Sequence, residues 1–108
     1  MTKNLDKEGL SSIVDKYELF YVDLWGVIHD GIKLHKKAIE VLKEIKKRDK
    51  DYVLLTNAPR PNKTVKNFLE KMGMEKEIRD HVFTSGEAAL KYLKYNYSYQ
   101  KFFHIGPP

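Results

Sequence analysis

Two short apolar runs set the limits on what this chain can become. Leu19-Phe20-Tyr21-Val22 and Val53-Leu54-Leu55 contain no charged residue, and each stops at a polar side chain, Asp23 and Thr56. A strand that is apolar on both sides of its pleat has no face for water and belongs inside a parallel sheet. Parallel neighbours need a crossover, usually a helix. The segment between the runs has the helical period: Ala38, Ile39, Leu42 and Ile45 fall on one face of residues 35–49, with lysines and glutamates opposite. Residues 18–23 and 52–56 are therefore expected to be strands of one sheet.

The alternation continues along the chain. Residues 6–16 have Leu10, Ile13 and Val14 on one helical face, and residues 24–34 are a loop with two glycines. Asn57-Ala58-Pro59-Arg60-Pro61 breaks the chain, and Pro61 opens a helix expected to bury Val65, Phe68, Leu69 and Met72 and to stop at Gly73. His81-Val82-Phe83-Thr84 is expected to be a third strand, with Ser85 capping a helix from Gly86 to Tyr95 and Glu87 near its positive end. Lys101 to Ile105 has the look of a fourth strand. Strand and helix in turn imply an α/β class, a three-layer α/β/α Rossmann-like parallel sheet within one domain spanning residues 1–108.

Composition removes several classes. No apolar run approaches the roughly 20 residues of a membrane span. Met1 to Glu8 lacks the apolar stretch of a secretory signal. With no cysteine there is no disulfide, no thiolate chemistry and no Cys-based zinc site, and a reducing cytoplasm is the expected location. Net charge is +5, but the lysines are interleaved with acids along the helices, which reads as solvated surface rather than a nucleic-acid face. Tyr92, Tyr95, Tyr97 and Tyr99 beside Lys91, Lys94 and Lys101 could stack on a single strand, yet a tyrosine-rich helix end followed by a loop is the simpler reading. No pair among His29, His35, His81 and His104 has helical metal spacing. His29 follows the first strand closely enough for a substrate-loop role, and Asp30 before Gly31 has turn chemistry.

Ligands of open α/β sheets bind at the carboxyl ends of the strands. Asp23, Thr56-Asn57 and Thr84-Ser85 are the polar clusters there. A carboxylate at a strand tip can attack phosphorus, hold a hard cation or cap the following turn. Thr56 and Asn57 can hold a phosphate oxygen or form an ordinary turn.

FYVDLWGVIHDG and VLLTNAPRP together resemble the first two motifs of the haloacid dehalogenase (HAD) superfamily, in the branch of nitrophenylphosphatase-like and sugar-phosphatase-like enzymes with a large cap. HVFTSGEAALKYLK and FFHIGPP are similar to the stretch leading into that cap. The resemblance implies magnesium-dependent hydrolysis of a small phosphorylated metabolite. Asp23 becomes the nucleophile that forms an aspartyl-phosphate. Mg2+ is held by the Asp23 carboxylate and the backbone carbonyl of Trp25. Thr56 bonds the phosphoryl group, Asn57 positions it, and Gly26 permits the tight turn after the strand.

Departures from the pattern are as informative. Trp25 stands where the family's phosphatases carry a second acid that protonates the leaving oxygen, help worth typically 10²–10⁴-fold. An indole only donates an N–H. The family's lysine and its last acidic motif follow the cap, near whose expected start this chain ends, and Lys33, Lys36 and Lys63 do not stand in that lysine's context. The expectation is an incomplete HAD-like core with little activity alone. The rival expectation is a non-catalytic binding or interaction module that uses the open edge an incomplete sheet leaves on the first strand, suited to a homodimer, or its basic surface to hold an anion.

Overall fold

A computed structural model describes residues 4–107. In chain order the elements are α1 (Leu5–Glu8), two 3-10 turns at Leu10–Ser12 and Val14–Lys16, β1 (Leu19–Val22), α2 (Lys36–Lys47), β2 (Asp51–Thr56), α3 (Asn62–Lys71), α4 (Lys76–Arg79), β3 (Val82–Thr84) and α5 (Ser85–Asn96). The strands pair in parallel in the order β1-β2-β3, with Val22 opposite Leu54 and Leu54 opposite Val82.

That register decides which side chains share a face. Phe20, Val22, Tyr52, Leu54 and Val82 point to one side, where they meet Ile39, Leu42 and Ile45 of α2, Val65 and Leu69 of α3, and Ile78 of α4. Leu24 and Ile28 of the loop after β1 close this core. Both crossover helices lie on one face because the sheet grows in one direction, and right-handed crossovers then stack on the same side. The other face carries Leu19, Tyr21 and Leu55, all exposed, and the half-buried Val53 and Phe83. Helix α5 begins the second helical layer: the Lys91 ammonium lies 5.3 Å from the centre of the Phe83 ring. The result is the expected three-layer Rossmann-like α/β fold with a small, incomplete sheet, in which β1 is an edge strand.

Some expectations are corrected. Residues 101–105 form no strand, and Phe102, Phe103 and Ile105 are exposed. An apolar run becomes a strand only where a partner accepts its backbone hydrogen bonds, and no described strand pairs with this run. The helix expected over residues 6–16 is cut to α1 and the two 3-10 turns, because Gly9 adopts φ +73° and turns the chain, although Val14 still reaches the core. Phe68 of α3 is 43% exposed rather than buried. Helix α4 was not anticipated, since its four residues bury only Ile78. Gly73 does end α3: at φ +89° its N–H bonds the Glu70 carbonyl at 2.9 Å.

Candidate functional site at the carboxyl ends of the strands

Parallel pairing puts the ends of β1, β2 and β3 on one edge of the sheet. Two hollows there share the wall formed by Asp23, Thr56 and Asn57. One, of about 380 Å³, is completed by Leu24, Trp25, His29, Ala58, Val65 and Phe68. The other, of about 510 Å³, is completed by Leu55, Phe83, Thr84, Ser85 and Ala88. The pleat alone would separate Asp23 from Thr56. One further step of the β1–β2 register sets Asp23 beside Leu55, on the face opposite Thr56. Both nevertheless border the same hollows, since β1 stops at Val22 and Asp23 has already left the ladder. Asp23 is exposed, and one carboxylate oxygen accepts the Leu24 N–H at 2.8 Å. No lysine or arginine lines either hollow.

The loop after β2 is held from below by the junction of β3 and α5. Thr84, fully buried, donates its hydroxyl to the Arg60 carbonyl and accepts the Glu87 N–H at 2.9 Å. The cap of α5 is thus Thr84, one residue before the expected Ser85. Ser85 donates instead to the Ala58 carbonyl at 3.2 Å, and the Gly86 N–H reaches the same carbonyl at 3.1 Å. Two helix starts also cap one another: the Glu87 carboxylate accepts the Asn62 N–H at the first residue of α3, and the Asn62 side-chain oxygen accepts the Thr84 N–H, each at 2.9 Å. A Cβ at Gly86 would stand 2.4 Å from the Arg60 nitrogen, so close contact with this loop requires glycine. Sequence reading missed this set of bonds, although Thr84-Ser85-Gly86-Glu87 carried the signal of a capping box.

The loop after β1 is equally tied down. Val27, Ile28 and His29 all donate to the Leu24 carbonyl, and the Gly26 N–H bonds His29 at 2.7 Å. Gly26 needs its freedom for φ +78° alone, because nothing lies within 4 Å of a Cβ placed there. His29 is 4% exposed and lies between two rings, Trp25 at 5.3 Å and Phe68 at 5.7 Å, nearly perpendicular to the first. Its Nδ1 accepts the Gly31 N–H at 3.0 Å, which leaves the proton of the neutral ring on Nε2. Burial holds His29 below the ordinary imidazole range, outweighing the upward pull of Asp30 and Asp23. Asp30 is a turn residue: its carboxylate accepts the Ile32 and Lys33 N–H groups, both at 2.9 Å, which lowers its pKa.

Asp23 and the Trp25 carbonyl are oxygen donors of the kind a hard cation takes, and no backbone N–H of the described residues bonds that carbonyl. They are few. Among the described residues no three acids, histidines or cysteines surround a common point. These residues therefore fit Mg2+ in kind and supply only part of its oxygen shell. A separate charged hollow along α3 and α4 is a weaker candidate. Its Arg79 pairs with Glu70 at 2.9 Å and its Lys66 and Lys76 with Asp80, so most of its charges are already paired with one another.

The fold can be set beside those of known proteins. Residues 20–108 match the family model of the haloacid dehalogenase-like hydrolases. The chain belongs to that family. No curated protein matches it. A haloacid dehalogenase-like hydrolase from Brucella suis 1330 superposes with a TM-score of 0.72 at 29% identity, covering 81% of this chain and 32% of that one. A 4-nitrophenylphosphatase from Thermotoga maritima gives 0.64 at 27% identity, covering 79% and 33%. The chain thus spans about a third of the length of the solved structures it matches. Among the described residues no helix is long and apolar enough to cross a membrane.

Proposed function

We propose that the chain carries the nucleophile half of a phosphate-ester hydrolase site. One observation supports this above all: Asp23, Thr56 and Asn57, from two strands and 33 residues apart in the case of Asp23 and Thr56, border the same hollows. The free carboxylate oxygen of Asp23 attacks phosphorus, the ester P–O bond breaks with the leaving oxygen departing as an oxyanion that takes its proton from water, and an aspartyl-phosphate forms. Water then attacks that phosphorus, releasing inorganic phosphate and restoring the carboxylate. The Thr56 hydroxyl and Asn57 amide hold phosphoryl oxygens. Mg2+, when bound by Asp23 and the Trp25 carbonyl, supplies positive charge that offsets the charge of phosphate and nucleophile.

Two features make these residues slow on their own. The hollows contain no cationic side chain to neutralise phosphate, and Trp25 cannot protonate the leaving oxygen. Absence of a general acid is expected to reduce the rate by about 10²–10⁴-fold for poor leaving groups and far less for good ones. The test is 4-nitrophenyl phosphate with Mg2+, followed by peptide mass spectrometry. Slow turnover, a phosphoryl group on the Asp23 peptide, and loss of both in Asp23→Asn are expected. Turnover equal to wild type in Asp23→Asn, or a phosphoryl group found only elsewhere, refutes the proposal.

A second reading has its own support: β1 is an edge strand whose Leu19 and Tyr21 are exposed. We propose homodimerisation there as the alternative role. Light scattering that gives the monomer mass at all accessible concentrations removes it.

A further inference from the structure

We propose that His29 binds the phosphoryl group through its Nε2–H, as a third donor beside Thr56 and Asn57. This rests on the phosphate site proposed above and adds a residue to it. The two nitrogens of this buried ring stand in different positions. Nδ1 accepts the Gly31 N–H at 3.0 Å. A proton on Nδ1 would face that hydrogen, and turning the ring over would set a carbon against it, so one tautomer and one orientation remain. Among the described residues no group bonds Nε2, and none of their buried side-chain nitrogens or oxygens lacks a partner. Nε2 therefore belongs to the small surface that His29 still shows, and the hollow His29 lines is the one bordered by Asp23, Thr56 and Asn57.

The donor is held before any ligand arrives. The His29 N–H bonds the Leu24 carbonyl at 3.2 Å, and its own carbonyl accepts the Gly26 N–H at 2.7 Å. The ring is set edge-on against Trp25, at 5.3 Å and 85°, and against Phe68, at 5.7 Å and 73°. Gly31, which fixes Nδ1, is itself fixed: it sits at φ +89°, and a Cβ there would come within 2.3 Å of the Trp25 indole. A donor ordered in advance loses little freedom on binding. Packing alone does not call for histidine here. A phenylalanine would fill the space without a polar nitrogen, and an asparagine would accept the Gly31 N–H. Histidine alone does both of these and still presents an N–H at the far end of its ring. Asp23 acts electrostatically on that ring, which sets the two groups at the same end of the sheet. In hollows without lysine or arginine, neutral N–H and O–H dipoles are what remains to hold an oxyanion.

The probe is inorganic phosphate with Mg2+, titrated by calorimetry into wild type, His29→Asn, His29→Gln and Thr56→Val. Asparagine places an acceptor where Nδ1 stands and no donor at Nε2; glutamine places an amide N–H near Nε2 and gives up the Gly31 bond. His29→Asn is expected to weaken phosphate about tenfold in Kd, the strength of a hydrogen bond to a charged group, and His29→Gln to stay within about threefold of wild type. A merely structural histidine predicts the reverse order, because asparagine keeps the bond to Gly31. Nitrogen-15 NMR of the wild type supplies a reading that needs no variant. The His29 ring is expected to carry its proton on Nε2, and that N–H resonance to shift as phosphate saturates the protein. A proton on Nδ1, an Nε2–H resonance unmoved at saturation, or His29→Asn binding as tightly as wild type overturns the role of His29. If Thr56→Val still weakens phosphate in that case, the phosphate site stands without it. Absence of phosphate binding by the wild type overturns both.

Discussion

Thr84→Val is the sharpest test of how the site is held. Valine has the shape of threonine and suits the extended backbone at φ −107° and ψ 154°. The substitution therefore removes a hydroxyl and little else. Two bonds go with it, one accepted from the Glu87 N–H at 2.9 Å and one given to the Arg60 carbonyl. Loss of the helix cap is worth about 1 kcal/mol. The Thr84 side chain is fully buried, so in the variant the Arg60 carbonyl faces a methyl group where it had a hydroxyl donor, at about 1–2 kcal/mol. The sum is roughly 2–3 kcal/mol, or a fall in Tm of about 10–20 °C for a domain of this size. Urea denaturation of wild type, Thr84→Val and Thr84→Ser measures it, serine being the control that keeps the hydroxyl. A loss below about 0.5 kcal/mol for valine, the scale of an ordinary surface change, would falsify the assignment of Thr84 as the anchor of the loop. So would a loss in serine as large as in valine.

Other outcomes follow from the same packing. Leu54→Ala, at a fully buried position in the central strand, is expected to lose about 2–5 kcal/mol by chemical denaturation. Gly86→Ala pushes a methyl into the Arg60 and Pro59 backbone and is expected to lose roughly 1–3 kcal/mol, with amide exchange in residues 57–61 accelerating; wild-type exchange rates there would contradict the contact. Burial raises the pKa of Tyr52. The unfolded chain loses its phenol proton near pH 10 while the folded chain keeps it, so this group makes stability fall as pH rises through about 10. Urea midpoints from about pH 9 to pH 11 should fall less steeply in Tyr52→Phe, and identical slopes would refute the shift. Tyr21→Lys, at a side chain 72% exposed, should change stability by less than about 0.5 kcal/mol and suppress any self-association seen by light scattering.

Much of this fold was legible because burial imposes period. The α2 pattern of Ala38, Ile39, Leu42 and Ile45 has one explanation, a helix on a sheet, and the runs before and after it have one explanation, strands within that sheet. Phe102-Phe103 and Ile105 carry the same apolar signal and form no strand, because pairing is decided by a partner that local sequence does not display. Helix α4 was invisible for the converse reason: four residues with one buried side chain have no period. At the strand ends, Asp23 and Thr56-Asn57 were singled out because each follows a short apolar run that reads as a strand. Thr84 was placed in the site region but not recognised as its anchor, since its partners Arg60 and Asn62 are more than 20 residues away. The openness of Trp25 and Phe68 could not be read at all. Apolar residues at helical or loop positions look like core until the cavity between them is seen.

The short run of hydrogen bonds between β1 and β2 has a dynamic consequence. Adjacent strands lie about 4.8 Å apart; Asp23 follows the last β1 rung at Val22 by one residue, and Thr56 is held by its pairing with Thr84 of β3. Their separation is therefore a property of the sheet, which opens only when the domain does, whereas α1 and the segment past Asn96 can fray at far lower free energy. Clipping by a protease at either end should leave the pocket's geometry intact.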